Sequence, residues 1–108
     1  MKTIEKELKI LKALADPVRL KILSILSGGE LCACSILDLV SVSQSTLSHH
    51  MKTLIECDLV IGRKDATWMY YSINIQTKSI VIKFIENILQ EKPGLNESRN
   101  TEKGCKNE

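Results

Sequence analysis

A mainly helical fold with a single β-hairpin is predicted for this 108-residue chain. Apolar residues recur at helical spacing through most of the first 56 residues. The stretch Leu59–Ile73 instead concentrates β-branched and aromatic residues around a short polar segment, and helical spacing then returns. With 44% apolar and 26% charged residues, the composition is that of one small globular domain, which excludes a large multidomain enzyme and a collagen-like or globally disordered chain.

The first two helices are separated by a capping signal. Apolar residues at every third or fourth position predict a helix over residues 3–15. Asp16-Pro17 predicts a new start, because aspartate caps helix N-termini and proline fits the first turn. Gly28-Gly29 then ends the second helix, since glycine adopts the left-handed conformation at little steric cost.

Two further helices are predicted close together in the chain. A short helix over about residues 32–40 is followed by the polar turn Ser41–Ser43. Ser43 is a favourable cap for a fourth helix over residues 44–56. One face of this fourth helix is an apolar stripe formed by Leu47, Met51, Leu54 and Ile55.

A hairpin and a last helix complete the fold. The hairpin has Lys64-Asp65-Ala66 as its expected tip, although the segment lacks an Asn-Gly or Asp-Gly pair that would define the turn. Residues 77–91 are predicted as a helix that is apolar over much of its surface. Such a helix needs a second burial partner, which we expect to be another copy of the chain, the alternative being one larger core. Residues 1–92 thus form the expected domain, and the polar residues 93–108 an expected disordered tail.

The order of these elements, ααααββα, is that of a winged helix-turn-helix. In this motif the second helix of the pair enters the DNA major groove, where side chains act as donors and acceptors to base edges. The alternative is a solvated polar face and an ordinary charged hairpin. The predicted DNA contacts are Gln44, Ser45, Thr46, Ser48, His49 and Lys52 on the fourth helix, with Arg63 and Lys64 on the hairpin.

Charge and hydropathy indicate how such a protein would hold DNA and in which compartment it would act. A net charge of +2 means that DNA must be held by local geometry and a few cations rather than by a strongly basic field. The first twenty residues contain no signal-peptide core, and no run of 18 apolar residues occurs. We therefore expect a cytoplasmic protein without a membrane partner, whose four cysteines are reduced or bind metal.

Five stretches of the chain closely resemble the ArsR/SmtB family of bacterial winged-helix repressors. The resemblance covers residues 8–90 in the family's order. It implies a homodimer built on the first and last helices, palindromic double-stranded operator DNA bound through the fourth helix and the wing, and release of the DNA when an inducer binds. The matching stretches are Leu11–Leu26, Glu30–Ser35, Ser43–Leu54, Leu59–Ile73 and the last helix.

Cys32-Ala33-Cys34 is the element that points to an inducer. Thiolates are soft ligands that select soft ions, although two nearby cysteines can also simply fill a core. Within Glu30–Ser35 the pair is similar to the thiol site of the family's arsenical-responsive and cadmium/lead-responsive branches. The resemblance implies no permanently bound cofactor and an inducer that is As(III) or Sb(III), with Cd(II) or Pb(II) as the alternative.

Three departures from family patterns bear on the choice between branches, and the first two favour the arsenical one. No histidine follows His50, so the zinc and nickel site on the last helix has no match, and no cysteine precedes Cys32 to complete a tetrathiolate cadmium site. Leu37 stands where one arsenical type has a third cysteine. Trivalent arsenic takes three soft ligands, and the third is left open between Cys57, Cys105 and a thiol from solution.

Two other mechanisms remain to be weighed. A redox or persulfide sensor of the same fold would use the cysteines covalently, and a disulfide from the pair to Cys57 or Cys105 is expected to form more easily than one across a single residue. An enzyme with His50 and Cys57 as base and nucleophile is not expected, because two helical turns separate them.

Since residues two apart on a helix point about 200° apart, ion binding at Cys32 and Cys34 is expected to distort the start of the third helix.

Overall fold

The structure is a computed structural model that describes residues 2–91 and the side chains of residues 4–91. The predicted mainly helical fold with a wing is confirmed, with one additional strand. The predicted tail over residues 93–108, with Cys105, lies outside the described residues. The elements in chain order are α1 (Lys2–Leu14), α2 (Pro17–Leu26), β1 (Leu31–Cys32), α3 (Ala33–Val40), α4 (Gln44–Glu56), β2 (Val60–Asp65), β3 (Trp68–Ile73) and α5 (Ile75–Leu89).

Side-chain caps fix where three of the helices begin. Asp16 Oδ2 accepts hydrogen bonds from the backbone N–H groups of Val18 and Arg19, at 2.9 and 3.0 Å, and so starts α2 as predicted. Ser43 Oγ accepts from the Thr46 N–H at 3.1 Å and starts α4 at the predicted residue. Asn74 caps α5 in the same way, so that this helix begins two residues before the predicted position 77.

Strand β1 was not predicted, and it changes the position of the first cysteine. Leu31 pairs with Tyr71 and Cys32 with Tyr70, antiparallel, in a sheet of order β1-β3-β2. The prediction that the third helix starts at about residue 32 was wrong, because Cys32 is extended and the helix begins at Ala33. A strand of two residues shows no alternation in the sequence, so only its tertiary pairing reveals it.

The hairpin turn also lies elsewhere than predicted. Strand β2 continues through Asp65 and β3 starts at Trp68, so the turn is Ala66-Thr67 rather than Lys64–Ala66. Ala66 adopts a positive φ of 58°, a conformation more often taken by glycine or asparagine. Arg63 and Lys64 therefore lie within β2, opposite Tyr70 and Met69, and not at the tip.

One hydrophobic core joins four of the helices to the wing. The largest fully buried side chains come one each from α1, α2, α3, α4 and β2, and they are Ile10, Ile22, Ile36, Leu54 and Val60. Helix α4 is therefore fixed against the rest of the domain by its inner face. Among the described residues, no helix is long and apolar enough to cross a lipid bilayer.

Helix α5 leaves much of its apolar surface uncovered in the single chain. It contacts α1 and buries Thr77 and Val81. Phe84 and Ile85 are half-buried, but the other large apolar side chains of α5 are exposed, with Ile88 at 57% and Leu89 at 73%. Ile4 and Leu8 are exposed on α1. This apolar surface is what the sequence led us to expect of a helix that needs a second partner.

Candidate DNA interface and thiol site

Helix α4 has an exposed polar face and a buried face as predicted, except that Ile55 of the predicted apolar stripe is exposed. Its inner face buries Leu47, His50, Met51 and Leu54. The six residues predicted to contact DNA all lie on the exposed face. One of them, Thr46, is engaged at the helix start, where its hydroxyl accepts from Ser43 Oγ at 2.9 Å. The other five side chains are Gln44, Ser45, Ser48, His49 and Lys52.

His50 connects α4 to the end of α1 through Arg19. His50 is only 9% exposed, and its Nδ1 lies 3.0 Å from Arg19 Nη1. Because a guanidinium only donates, His50 Nδ1 is the acceptor. Arg19 Nε also donates to the carbonyl of Ala13 at 2.7 Å, in the last turn of α1. His50 thus packs on the inner face of α4 with Arg19 as its hydrogen-bond partner, whereas the Cys57 thiol donates to the Leu54 carbonyl at 3.5 Å.

Asp16 completes this junction. Its carboxylate lies 3.9 Å from His50 Nδ1. The hydrogen bond from the Arg19 backbone N–H, aided by the nearby charge of the Arg19 side chain, holds the pKa of Asp16 below its ordinary value. The start of α2, the end of α1 and the inner face of α4 therefore meet at one polar cluster, formed by Asp16, Arg19 and His50.

Arg63 is paired within the protein rather than free for a phosphate. Its Nε and Nη2 donate to the two Glu30 carboxylate oxygens at 2.7 and 2.8 Å, and its guanidinium lies 4.6 Å from the centre of the Tyr70 ring. The hydrogen bonds from Arg63 lower the pKa of Glu30. Lys64, in contrast, is exposed on β2.

Removing the Glu30 charge is expected to strengthen DNA binding. In Glu30→Gln, Arg63 keeps its charge and loses its bidentate partner, so it becomes available to a phosphate. We expect operator affinity to rise roughly two- to tenfold, with a salt dependence steeper by about one charge. Fluorescence anisotropy at several salt concentrations measures both. Asp38→Asn is the matched control, because it changes the net charge equally on an exposed residue of α3; an equal gain in this control would contradict the special role of the Arg63 pair.

The two cysteines of the predicted ion site meet at the junction of β1 and α3. Cys32 is the extended residue before the helix, and Cys34 lies in the first helical turn, with 5.4 Å between their Cα atoms. Their sulfur atoms are joined as a disulfide. The expectation that a disulfide would more easily form with Cys57 was therefore wrong, while Cys105 lies outside the described residues. The expectation that the sulfurs meet only if the helix distorts was also wrong, because Cys32 is not helical.

Cys57 is not brought to the pair. It follows α4, is buried, and lines a cavity with Lys9 and Glu56, whereas Cys34 lines a different cavity beside the wing. Burial raises the pKa of the Cys57 thiol, which disfavours the thiolate that binds soft ions. Within residues 4–91, no three Cys, His, Asp or Glu side chains are grouped closely enough to hold an ion. The pair alone supplies two soft sulfur donors.

A groove of about 330 Å³ separates α3, α4 and the wing, and we call it the wing groove. Sequence reasoning missed it, because its walls come from three separate parts of the chain. Its one sequence signal was Trp68, the only tryptophan, at the start of β3. The groove brings a cysteine of the pair together with two predicted DNA contacts; its lining includes Cys34, Leu37, Gln44, Ser48, Trp68 and Met69.

Comparisons with known proteins agree with this arrangement. A family model described as bacterial regulatory protein, arsR family, matches residues 16–61. The arsenical resistance operon repressor of Staphylococcus aureus is 49% identical over 84 residues, which are 77% of this chain and 78% of that protein. A cadmium resistance transcriptional regulatory protein CadC homolog of Staphylococcus aureus is 39% identical over 67 residues, 61% of this chain and 55% of that protein.

A solved structure extends the similarity beyond the matched sequence region. HlyU from Vibrio cholerae has a TM-score of 0.67 at 30% identity, over 83% of this chain and 98% of that one. The segment matched by the family model runs from the cap of α2 into β2. It therefore contains both the cysteine pair and the whole of α4.

Proposed function

Because the chain belongs to the ArsR family of bacterial regulatory proteins, we propose that it is a cytoplasmic repressor of a metalloid-resistance operon that leaves its operator when As(III) or Sb(III) binds Cys32 and Cys34. The chain is a regulator and not an enzyme. The observation that carries the proposal is the wing groove, where Cys34 faces the same space as Gln44 and Ser48 of α4. An ion at the pair would act directly beside the DNA-reading residues.

Operator DNA would be read by the exposed face of α4. Gln44 and Ser48 can bond base edges in the major groove, while Lys52 and Lys64 are exposed cations suited to phosphates. Arg63 would contribute fully only when its ion pair with Glu30 opens. The inner face of α4 is anchored by Leu54 and His50, so the helix can present these groups as a rigid surface.

A homodimer through α1 and α5 is part of this proposal. The exposed apolar side chains of both helices support it, since burying them removes a large apolar surface from water. Two copies would place two α4 helices on successive major grooves, about 34 Å apart, and the operator would then be palindromic.

The inducer would bind as a soft ion to the two thiolates. As(III) and Sb(III) suit sulfur donors, and the pair needs no rearrangement of a regular helix to bring both sulfurs to one ion. The third ligand would come from Cys105 or from a thiol in solution, because Cys57 lines a different cavity. The similarity to a cadmium resistance regulatory protein makes Cd(II) and Pb(II) the comparison ions for the test.

Operator binding with and without inducer tests the proposal. The reduced protein should bind DNA from upstream of its own gene in a gel shift or anisotropy assay. Arsenite or antimonite should lower that affinity at least roughly tenfold, within the usual range of allosteric coupling. Equal affinities with and without either ion would overturn the inducer, and preferential release by Cd(II) or Pb(II) would replace it.

A Gln44→Ala variant tests the role of α4 itself. Gln44 is exposed, so its removal should leave folding unchanged. We expect a loss of about 1–3 kcal/mol in operator binding, because a bidentate base contact disappears, and little change on unrelated DNA. Lys52→Ala should weaken both DNAs alike and reduce the salt slope by about one. A Gln44→Ala loss that is equal on both DNAs would contradict base readout by this residue.

Thiol oxidation is the second candidate mechanism, and the joined sulfur atoms of Cys32 and Cys34 favour it. A Cα separation of 5.4 Å lies within the range that disulfides span. Operator release by a persulfide or peroxide, reversed by a dithiol and absent with arsenite, would establish redox sensing instead of ion sensing. Mass spectrometry of the treated protein identifies which cysteines react.

A further inference from the structure

The wing groove is larger than an inorganic ion requires. Its volume of about 330 Å³ falls in the range of small-molecule pockets, about 300–1,000 Å³. Apolar and aromatic side chains form much of its lining, namely Leu37, Met69, Trp68 and Tyr71. Trp68 is 54% exposed, so the rest of the protein leaves much of its aromatic surface uncovered in the groove that Cys34 also lines.

We propose that the wing groove receives the organic substituent of a monosubstituted trivalent arsenical, R–As(OH)2, with an aromatic R preferred, while Cys32 and Cys34 bind its arsenic. This inference rests on the proposed function and specifies its ligand. It follows from the position of Cys34, which belongs to the sulfur pair and also lines the groove. The arsenic would lie at the edge of the groove and its substituent inside it.

The number of available sulfurs matches this ligand. One of the three arsenic bonds is already made to carbon, so two thiols complete the set. Each thiol sulfur forms an As–S bond, and each hydroxide leaves as water with the thiol proton, without a change in oxidation state. Within the described residues, no third Cys, His, Asp or Glu is grouped with the pair. Where the pair is oxidised, a small dithiol first reduces it and becomes a disulfide itself.

The walls of the groove explain both selectivity and response. An aromatic ring gains contact area and stacking energy against Trp68 and Tyr71, and contact with the Met69 sulfur. The opposite wall carries Gln44 and Ser48 on α4. A bound substituent would therefore touch the DNA-reading helix directly, so that occupancy of the groove and binding of DNA compete for the same side chains.

Trp68 gives a direct readout, because it is the only tryptophan in the chain. The full-length protein, kept reduced with a phosphine, is titrated with phenylarsonous acid, methylarsonous acid and arsenite. We expect phenylarsonous acid to change the Trp68 emission and to bind roughly tenfold or more tightly than methylarsonous acid, because only the phenyl ring buries substantial apolar area. The same order should hold for operator release.

Matched variants locate the binding of the ring. Leu37→Phe fills the groove from α3, while Leu39→Phe makes the same change on an exposed residue of α3 outside it. Thr67→Phe fills it from the exposed wing turn and is independent of the core. We expect Leu37→Phe and Thr67→Phe each to bind phenylarsonous acid roughly tenfold more weakly than the unaltered protein. The control Leu39→Phe should bind it with unchanged affinity. Methylarsonous acid should bind all three variants like the unaltered protein.

The outcomes separate this inference from the proposed function. Equal affinity for the phenyl and methyl compounds, unchanged Trp68 emission, or equal weakening in Leu39→Phe would overturn the groove assignment while arsenite still releases the operator. Failure of arsenite and of both organic compounds to bind the cysteine pair would overturn the proposed inducer as well. Preference for phenyl that is lost only in the groove-filling variants would support the assignment.

Discussion

Replacing both Cys32 and Cys34 by serine is expected to abolish arsenite-induced release while leaving operator binding intact. The two side chains lie at the β1–α3 junction, outside the buried core, so serine should be accommodated without loss of the fold. Hydroxyl groups are hard donors and do not replace thiolates for a soft ion. We expect arsenite affinity to fall more than roughly a hundredfold, which corresponds to at least about 2.7 kcal/mol. Anisotropy with labelled operator measures release.

The single variants and a matched control sharpen this result. Cys32→Ser and Cys34→Ser should each remove most of the response, since one remaining thiolate cannot chelate. Cys57→Ala should retain it, because the buried Cys57 lines a different cavity. Arsenite-induced release that survives in the double variant would assign the response to Cys57 or Cys105 and refute the pair as the inducer site.

An acidic residue in the exposed apolar face of α5 is expected to separate the proposed dimer. Ile88 lies seven residues after Val81, so it continues the face that the protomer core buries, yet it is 57% exposed in the single chain. Ile88→Glu would place a carboxylate in the subunit interface at a cost of several kcal/mol. We expect dimerisation to weaken roughly a hundredfold or more, and operator affinity to fall with it.

Sedimentation analysis together with operator binding tests this prediction. Asn87→Glu is the matched control, because it adds the same charge at the adjacent exposed polar residue. The control should remain dimeric and bind the operator. A monomeric unaltered protein, or an Ile88→Glu variant that stays dimeric with full operator affinity, would show that the exposed α5 surface has another purpose.

Local signals in the sequence predicted the helices better than the pairings between distant segments. Asp16 and Ser43 are caps whose hydrogen bonds lie within three residues, and both were located correctly. Strand β1 depends on Tyr70 and Tyr71, nearly forty residues away, and has too few residues to show a period. The hairpin turn at Ala66 lacks the residue types that usually mark a positive φ, so its position was missed.

In the candidate site, too, local features could be predicted from the sequence and contacts between distant residues could not. The exposed face of α4 follows from helical spacing alone, so its polar residues could be identified from the sequence. The pairing of Arg63 with Glu30 spans 33 residues and could not. Nor could the wing groove, because Cys34, Gln44 and Trp68 meet only when β3 packs beside the helix pair. The sequence therefore predicted candidate binding residues, while the structure shows which of them line one groove.

The hydrogen bonds of the Arg19 side chain would couple the arrangement of the subunits to the position of α4. It bonds the Ala13 carbonyl at the end of α1 and His50 on α4 at the same time. Helix α1 belongs to the proposed subunit interface, so any tilt of one protomer against the other would be transmitted to α4 over two hydrogen bonds and no flexible loop. The spacing of the two α4 helices in a dimer would then be set by the interface itself, and a small rotation there would be enough to misalign both from their half-sites.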